Sequence, residues 1–153
     1  MTPTERSELI ARYAEGHAAV IAALDRIGPD RLDTVPPDGS WTPRMVVHHL
    51  ADSEMTSALR VRKLLAEENV AIVGNPEEIW AKRAYYDRPI EHSLDAIKAA
   101  RATTLDILVR MTEEEWLRPG THNEIGLYTP EVWLGIYSRH CHEHAEQMLR
   151  AVG

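Results

Sequence analysis

Apolar residues recur at helical spacing in four long stretches of this chain, and no convincing alternation of apolar and polar positions marks a strand between them. The first stretch runs from about Thr4 to Ile27. Leu9, Tyr13, Val20, Leu24 and Ile27 share one stripe, and Gly28-Pro29 stops it. The second runs from about Pro43 to Glu67. Thr42 is placed to cap it, and Pro43 suits the first helical position because its missing N–H needs no partner there. A third covers about Ile90 to Met111, with Leu94, Ile97, Thr104, Leu108 and Met111 on one side. The fourth, from about Pro130 to Ala151, repeats the Thr-Pro start with Thr129 and Pro130.

The connections have their own signals. Residues 28–41 are rich in Pro, Asp and Gly and read as a loop. Residues 68–89 hold a short helical candidate around Pro76 to Ala84. Thr112-Glu-Glu-Glu115 reads as a capping box, with Trp116 just beyond it. In residues 118–128, Pro119, Gly120, Asn123 and Gly126 allow a small hairpin. Four amphipathic helices of about 20 residues predict an all-α, single-domain four-helix bundle over residues 1–153, its longer connections covering one end.

Composition narrows the function classes. With 44% hydrophobic and 27% charged residues the chain is ordinary globular material. A net charge of −7 repels phosphate backbones and anionic membrane surfaces, so neither nucleic acid nor membrane is expected as a partner. The lone cysteine, Cys141, excludes an internal disulfide and fits a reducing compartment. No apolar run approaches the ~20 residues needed to cross a bilayer, and the first residues lack a signal-peptide apolar core. The expected location is cytoplasmic.

The chemistry is in the histidines. His140 and His144 lie about 40° apart on the fourth helix, on the face that carries Trp133, Ile136, Tyr137, Gln147 and Met148. Each imidazole buried there without a partner would cost about 1–3 kcal/mol. A metal ion satisfies both at once, as in helical zinc pairs, and a hydrogen-bonded core pair is the alternative. His142 points the other way, toward solvent. The second helix offers His48-His49. His49 flanks the apolar stripe on a polar row with Ser53, Thr56 and Arg60, which is either a pocket wall or a solvated edge, and periodicity slightly favours it over His48 as a third ligand. A di-iron bundle would need Glu-x-x-His pairs, and none occurs. His140-Cys-His-Glu-His144 matches the short pattern of the inverted zinc peptidases, but those much larger enzymes resemble this chain in nothing else.

The run Trp41-Thr-Pro-Arg-Met-Val-Val-His-His-Leu-Ala-Asp-Ser53, followed by Tyr137-Ser-Arg-His-Cys-His-Glu-His144 and Gln147, resembles the DinB superfamily, and within it the YfiT-like metal-dependent hydrolases. Pro89-Ile-Glu-His-Ser-Leu94, Thr112-Glu-Glu-Glu-Trp116, and His122 with Leu127-Tyr-Thr129 extend the likeness over nearly the whole chain. The resemblance implies a four-helix bundle holding one divalent ion, zinc or nickel, on His49, His140 and His144. It also implies a kinship with transferases of low-molecular-weight thiols, the bacillithiol transferases among them, and more distantly with mycothiol-dependent isomerases. The chain departs from the YfiT-like pattern at Arg101, where that pattern has a histidine, and at Glu143.

Three neutral imidazoles leave an ion open positions, the catalytic rather than the structural arrangement. Such an ion can activate water for hydrolysis or a thiol for transfer. The expected function is therefore a metal-dependent enzyme transferring a low-molecular-weight thiol to an electrophile. A metal-dependent hydrolase and a non-catalytic metal-binding stress-response module are the alternatives. Asp52 could orient a ligand or stay solvated, and Glu143 could serve as a base. Arg101 either binds a substrate carboxylate or snorkels to solvent. Gln147 could brace His144 or simply pack as an amide of the bundle. Expected partners are a small-molecule substrate and, in a homodimer, a second copy of the chain.

Overall fold

The computed structural model describes residues 1–153. Four long helices carry it: α1 (Pro3–Ile27), α2 (Pro43–Ala66), α4 (Glu91–Leu108) and α6 (Pro130–Val152). Two short ones, α3 (Glu77–Arg83) and α5 (Glu113–Trp116), lie in the connections. Local chemistry explains where they begin. Thr2 accepts the Glu5 N–H while Glu5 reaches back to Thr2, so α1 opens on a capping box with Pro3 in its first turn. Thr42 and Thr129 accept from Met45 N and Val132 N at 3.3 Å each, and Pro43 and Pro130 follow them. The capping box at Thr112–Glu115 opens α5. Helix α1 ends where Gly28 takes φ +77°, a value that side chains disfavour, and its N–H returns to Leu24 O.

The long helices meet in the order α1, α6, α2, α4 and back to α1. Two apolar clusters fill the space between them. One holds Val20, Ile27, Val46, Leu50, Ile97 and Met148; the other holds Tyr13, Val61, Leu64, Leu108, Trp116, Tyr128 and Trp133. A polar layer separates them. Along α2, Leu50 belongs to the first cluster and Val61 to the second, and Glu54 lies between. Along α4 the same place is held by Arg101, and along α6 by Ser138 and Cys141. On α1 it falls at Gly16, where an added Cβ would come within 2.5 Å of the Arg101 guanidinium. A glycine inside a helix costs about 1 kcal/mol against alanine, and here it makes room for that side chain.

The strands depart from the sequence reading. The hairpin expected in residues 118–128 is present as β2 (Gly120–His122) and β3 (Gly126–Tyr128), antiparallel with Gly120 opposite Tyr128. A third strand, β1 (Val70–Ile72), pairs parallel to β2 with Val70 opposite Gly120. Three residues are too few to display an alternating pattern, and their partner lies far along the chain. Val70, Ile72 and Tyr128 are buried and join the second apolar cluster, so the sheet closes that end of the bundle. No helix is long and apolar enough to cross a membrane.

Candidate metal centre

His49 sits on the second turn of α2, and His140 and His144 sit one turn apart near the middle of α6, the helix packed beside it. One ligand atom from each of the three lies within 4.8 Å of the other two. The rings meet edge to face, with centroids 5.4 Å (His49–His140), 4.7 Å (His49–His144) and 4.6 Å (His140–His144) apart. His49 is buried, while His140 and His144 are half-buried. Burial, followed by the charges of its two histidine neighbours, pushes the His49 pKa down to about 3. Burial and His140 push His144 down to about 4. Imidazoles held neutral at pH 7 are what a divalent ion requires of its ligands.

The surroundings orient these rings. His144 Nδ1 lies 2.6 Å from Gln147 Oε1. That oxygen only accepts, so Nδ1 carries the proton and Nε2 keeps its lone pair for a ligand role. The ring of Trp41 lies 5.0 Å from His49 and packs edge-on against Tyr86. The Tyr86 hydroxyl donates to Asp52 Oδ2 at 2.7 Å. Asp52 therefore braces the aromatic wall behind His49 and hydrogen-bonds no histidine.

Both other histidines of the two helices are committed elsewhere. His48 is fully buried, with Nε2 3.0 Å from Arg88 O and Nδ1 2.8 Å from Ser93 Oγ. A carbonyl can only accept, so Nε2–H donates to it and Nδ1 accepts from the serine. Neither nitrogen of His48 is left for a metal. His142 is not simply solvated: its Nε2–H donates to Arg12 O at 3.0 Å and ties α6 to α1.

Two candidate residues stand away from the cluster. Glu143 is 61% exposed and lies 3.8 Å from Arg139 on the outer face of α6, where it cannot act as a base at the histidines. Its position follows from helix phase, since one residue before His144 is about 100° around the helix. Arg101 neither snorkels nor faces a substrate. It is 3% exposed, and its Nη1 lies 2.5 Å from Glu54 Oε1 and 3.2 Å from Cys141 Sγ. Its Nη2 donates to Tyr13 O, and its guanidinium covers the Tyr13 ring at 3.8 Å. Snorkelling fails because α1 and α6 close over the helix face that carries it.

Glu54 is the residue that the sequence reading passed over. It is 0% exposed, its Oε1 lies 4.0 Å from His140 Nδ1, and Cys141 donates its thiol to the same oxygen at 3.5 Å. One signal was available: Glu54 is a carboxylate one turn beyond Leu50 on the core-facing side of α2. Cys141 is fully buried, and burial, then the Glu54 charge, pushes its thiol well above the ordinary range.

A cavity of about 390 Å³ adjoins the cluster at His140. Ser53 and Arg60, from the polar row of α2, form one wall, and Asn75, Glu77, His122 and Tyr137 are among the residues that line the rest. Arg60 spans the wall, donating to the Tyr137 hydroxyl at 3.1 Å, Asn75 Oδ1 at 3.0 Å and Val73 O at 2.8 Å. The donor set and its geometry fit a divalent ion, which would be held by His49, His140 and His144.

Known proteins share this fold and sequence. The solved structure of YfiT from Bacillus subtilis, described as "a probable metal-dependent hydrolase with an unusual four-helix bundle topology", superposes with a TM-score of 0.90 at 29% identity, covering 99% of this chain and 87% of that one. A protein of Oceanobacillus iheyensis named "putative metal-dependent hydrolase" is 36% identical over 115 residues, 75% of this chain and 67% of its own. One of the same name from Geobacillus thermodenitrificans is 34% identical over 147 residues, 93% of this chain and 81% of its own. The DinB superfamily profile matches residues 12–148, a span that includes all three clustered histidines. The chain belongs to the DinB superfamily.

Proposed function

We propose that this protein is a metal-dependent enzyme that transfers a low-molecular-weight thiol to an electrophilic small molecule. The observation that carries the proposal is the pairing of an accessible three-histidine cluster with a cavity of about 390 Å³ beside it. That volume lies within the range of small-molecule sites. A bound zinc or nickel ion would supply Lewis acidity, lowering the pKa of a thiol or water that reaches it. The remaining work falls to the chain. His49, His140 and His144 offer neutral nitrogens, Gln147 holds the His144 proton on Nδ1, and Trp41 with Tyr86 shields His49 from solvent. Arg60, His122 and Tyr137 present polar groups to whatever occupies the cavity.

Two features favour a thiol cosubstrate. Cys141 is buried and bonded to Glu54, so the chain has no sulfur nucleophile of its own to offer. No carboxylate belongs to the metal-ligating set, and a bound ion would lower the pKa of a thiol so that its proton could pass to solvent without a dedicated base. Hydrolysis is the second reading, favoured by the names of the relatives and by Glu77 on the cavity wall. His140 and His144 are only partly buried, which counts against a sealed, non-catalytic site.

The test is conjugation of an electrophile by glutathione, bacillithiol, mycothiol or coenzyme A, with zinc- or nickel-loaded protein and with His140→Ala. Metal-dependent turnover with any thiol is the expected result. Cleavage of an ester or amide without thiol turnover would move the assignment to hydrolase. Silence in both would favour a non-catalytic module.

A further inference from the structure

Two buried polar atoms beside the metal cluster have no hydrogen-bond partner: His140 Nδ1 and Glu54 Oε2. They belong to facing side chains, since the other oxygen of the same carboxylate is 4.0 Å from that same nitrogen. Leaving both unpaired costs the desolvation of each, whereas together they form a donor and an acceptor. An imidazole that gives the lone pair of Nε2 to an ion must carry its proton on Nδ1, and a carboxylate is the natural acceptor for it.

We infer that Glu54 is a positioning residue for the metal. It accepts the Nδ1–H of His140, fixes that ring's tautomer and aims Nε2 at the ion, and Arg101 in turn holds the carboxylate in place. The contact requires the carboxylate and the ring, 4.0 Å apart at Oε1 and Nδ1, to close to the ~2.7–2.9 Å of a charge-assisted bond. Arg101 makes the arrangement possible. A carboxylate alone in the interior would lose its charge or force the bundle open. The guanidinium pairs with Oε1 at 2.5 Å and is itself anchored to Tyr13 O, over the Tyr13 ring, in the space that Gly16 leaves. Oε1 is thereby occupied by Arg101 and Cys141, and Oε2 is left for the histidine. The chain of contacts runs from α1 through α4 and α2 to α6, so that all four long helices bear on one ligand ring. His144 is served by Gln147 of its own helix, whereas the brace on His140 comes from the fold.

This inference rests on the metal reading of the three histidines, and the experiment separates the two. Zinc affinity is measured by competition with a chromophoric chelator, for the wild-type chain, for Glu54→Gln and for the double variant Glu54→Leu/Arg101→Met. The double variant removes both charges together, a replacement that buried ion pairs often tolerate without loss of stability, and its thermal unfolding reports whether the bundle is intact. The expected result is a 10–100-fold weaker zinc affinity in both variants. Cobalt-loaded protein should show an altered visible spectrum in each. In zinc-loaded wild type, the nitrogen-15 spectrum of the imidazoles should place the remaining proton of His140 on Nδ1. Wild-type zinc affinity in a folded double variant, or a His140 proton on Nε2, would overturn the inference and leave the metal site standing. A wild-type chain that binds no zinc or nickel would instead remove the metal reading and this inference with it.

Discussion

His49 and Glu54 lie little more than one turn apart on α2, and both are all but fully buried, yet their surroundings are opposite in kind. Around Glu54 the protein supplies most of what a charge needs: a guanidinium at 2.5 Å, a thiol at 3.5 Å and apolar clusters above and below. Around His49 it supplies two more imidazoles and an aromatic wall, and no hydrogen bond to His49 itself. The first region closes on itself, and the second gathers three histidines that fit a divalent ion. Burial of polar groups therefore does not by itself mark a functional site. What distinguishes the second region is three imidazole nitrogens, one from each histidine, within 4.8 Å of one another.

The sharpest way to break this comparison is to remove a ligand. His140→Ala or His144→Ala should abolish stoichiometric metal binding, read by elemental analysis after gel filtration, while the bundle stays folded. Retention of a full equivalent of metal in either variant would show that the cluster is not the site. The closed region should respond differently. Glu54→Leu alone leaves Arg101 charged and buried without its carboxylate, and should cost about 3–5 kcal/mol in urea unfolding, most of which Glu54→Leu/Arg101→Met restores.

Acid should separate the regions as well. In metal-free protein, His49 and His144 titrate at about 3 and about 4 when folded, against 6.5 ordinarily. As the pH falls below 6.5, the unfolded chain takes up protons at these positions and the folded chain does not, so stability drops until the pH passes through about 4 and then about 3. Each unit of depression is worth about 1.4 kcal/mol. Replacing His49 with Gln should flatten this part of the pH–stability curve, measured by urea unfolding, and an unchanged slope would contradict the packing described.

Smaller effects sharpen the contrast among the histidines. His48→Ala should leave metal stoichiometry at the wild-type value but destabilise the fold by about 1–3 kcal/mol, since Ser93 and Arg88 O lose a buried partner. The smallest change expected is for Glu143→Gln. Its exposed carboxylate pairs loosely with Arg139, so stability should stay within about 0.5 kcal/mol and turnover unchanged. A large loss of turnover in that variant would restore Glu143 as a base.

The sequence by itself determined the four long helices, their Thr-Pro and capping-box starts, and the grouping of His140 with His144. All of these depend on residues within a few positions of one another, and a 3.6-residue period makes them visible. It also pointed to the polar row of Ser53 and Arg60 that became a cavity wall. Only the tertiary structure decided the rest. His48 and His49 lie about 100° apart on opposite flanks of the α2 apolar stripe, and periodicity only slightly favours His49. The choice between them depends on α4 arriving with Ser93 to satisfy one and α6 arriving with two histidines to face the other. The strand β1 exists because β2 supplies its hydrogen bonds across the end of the bundle. Arg101 reads locally as a side chain that reaches water, and Glu54 as one more helix carboxylate. Each is buried because the other is, and a charge pair assembled from two helices leaves no periodic trace on either.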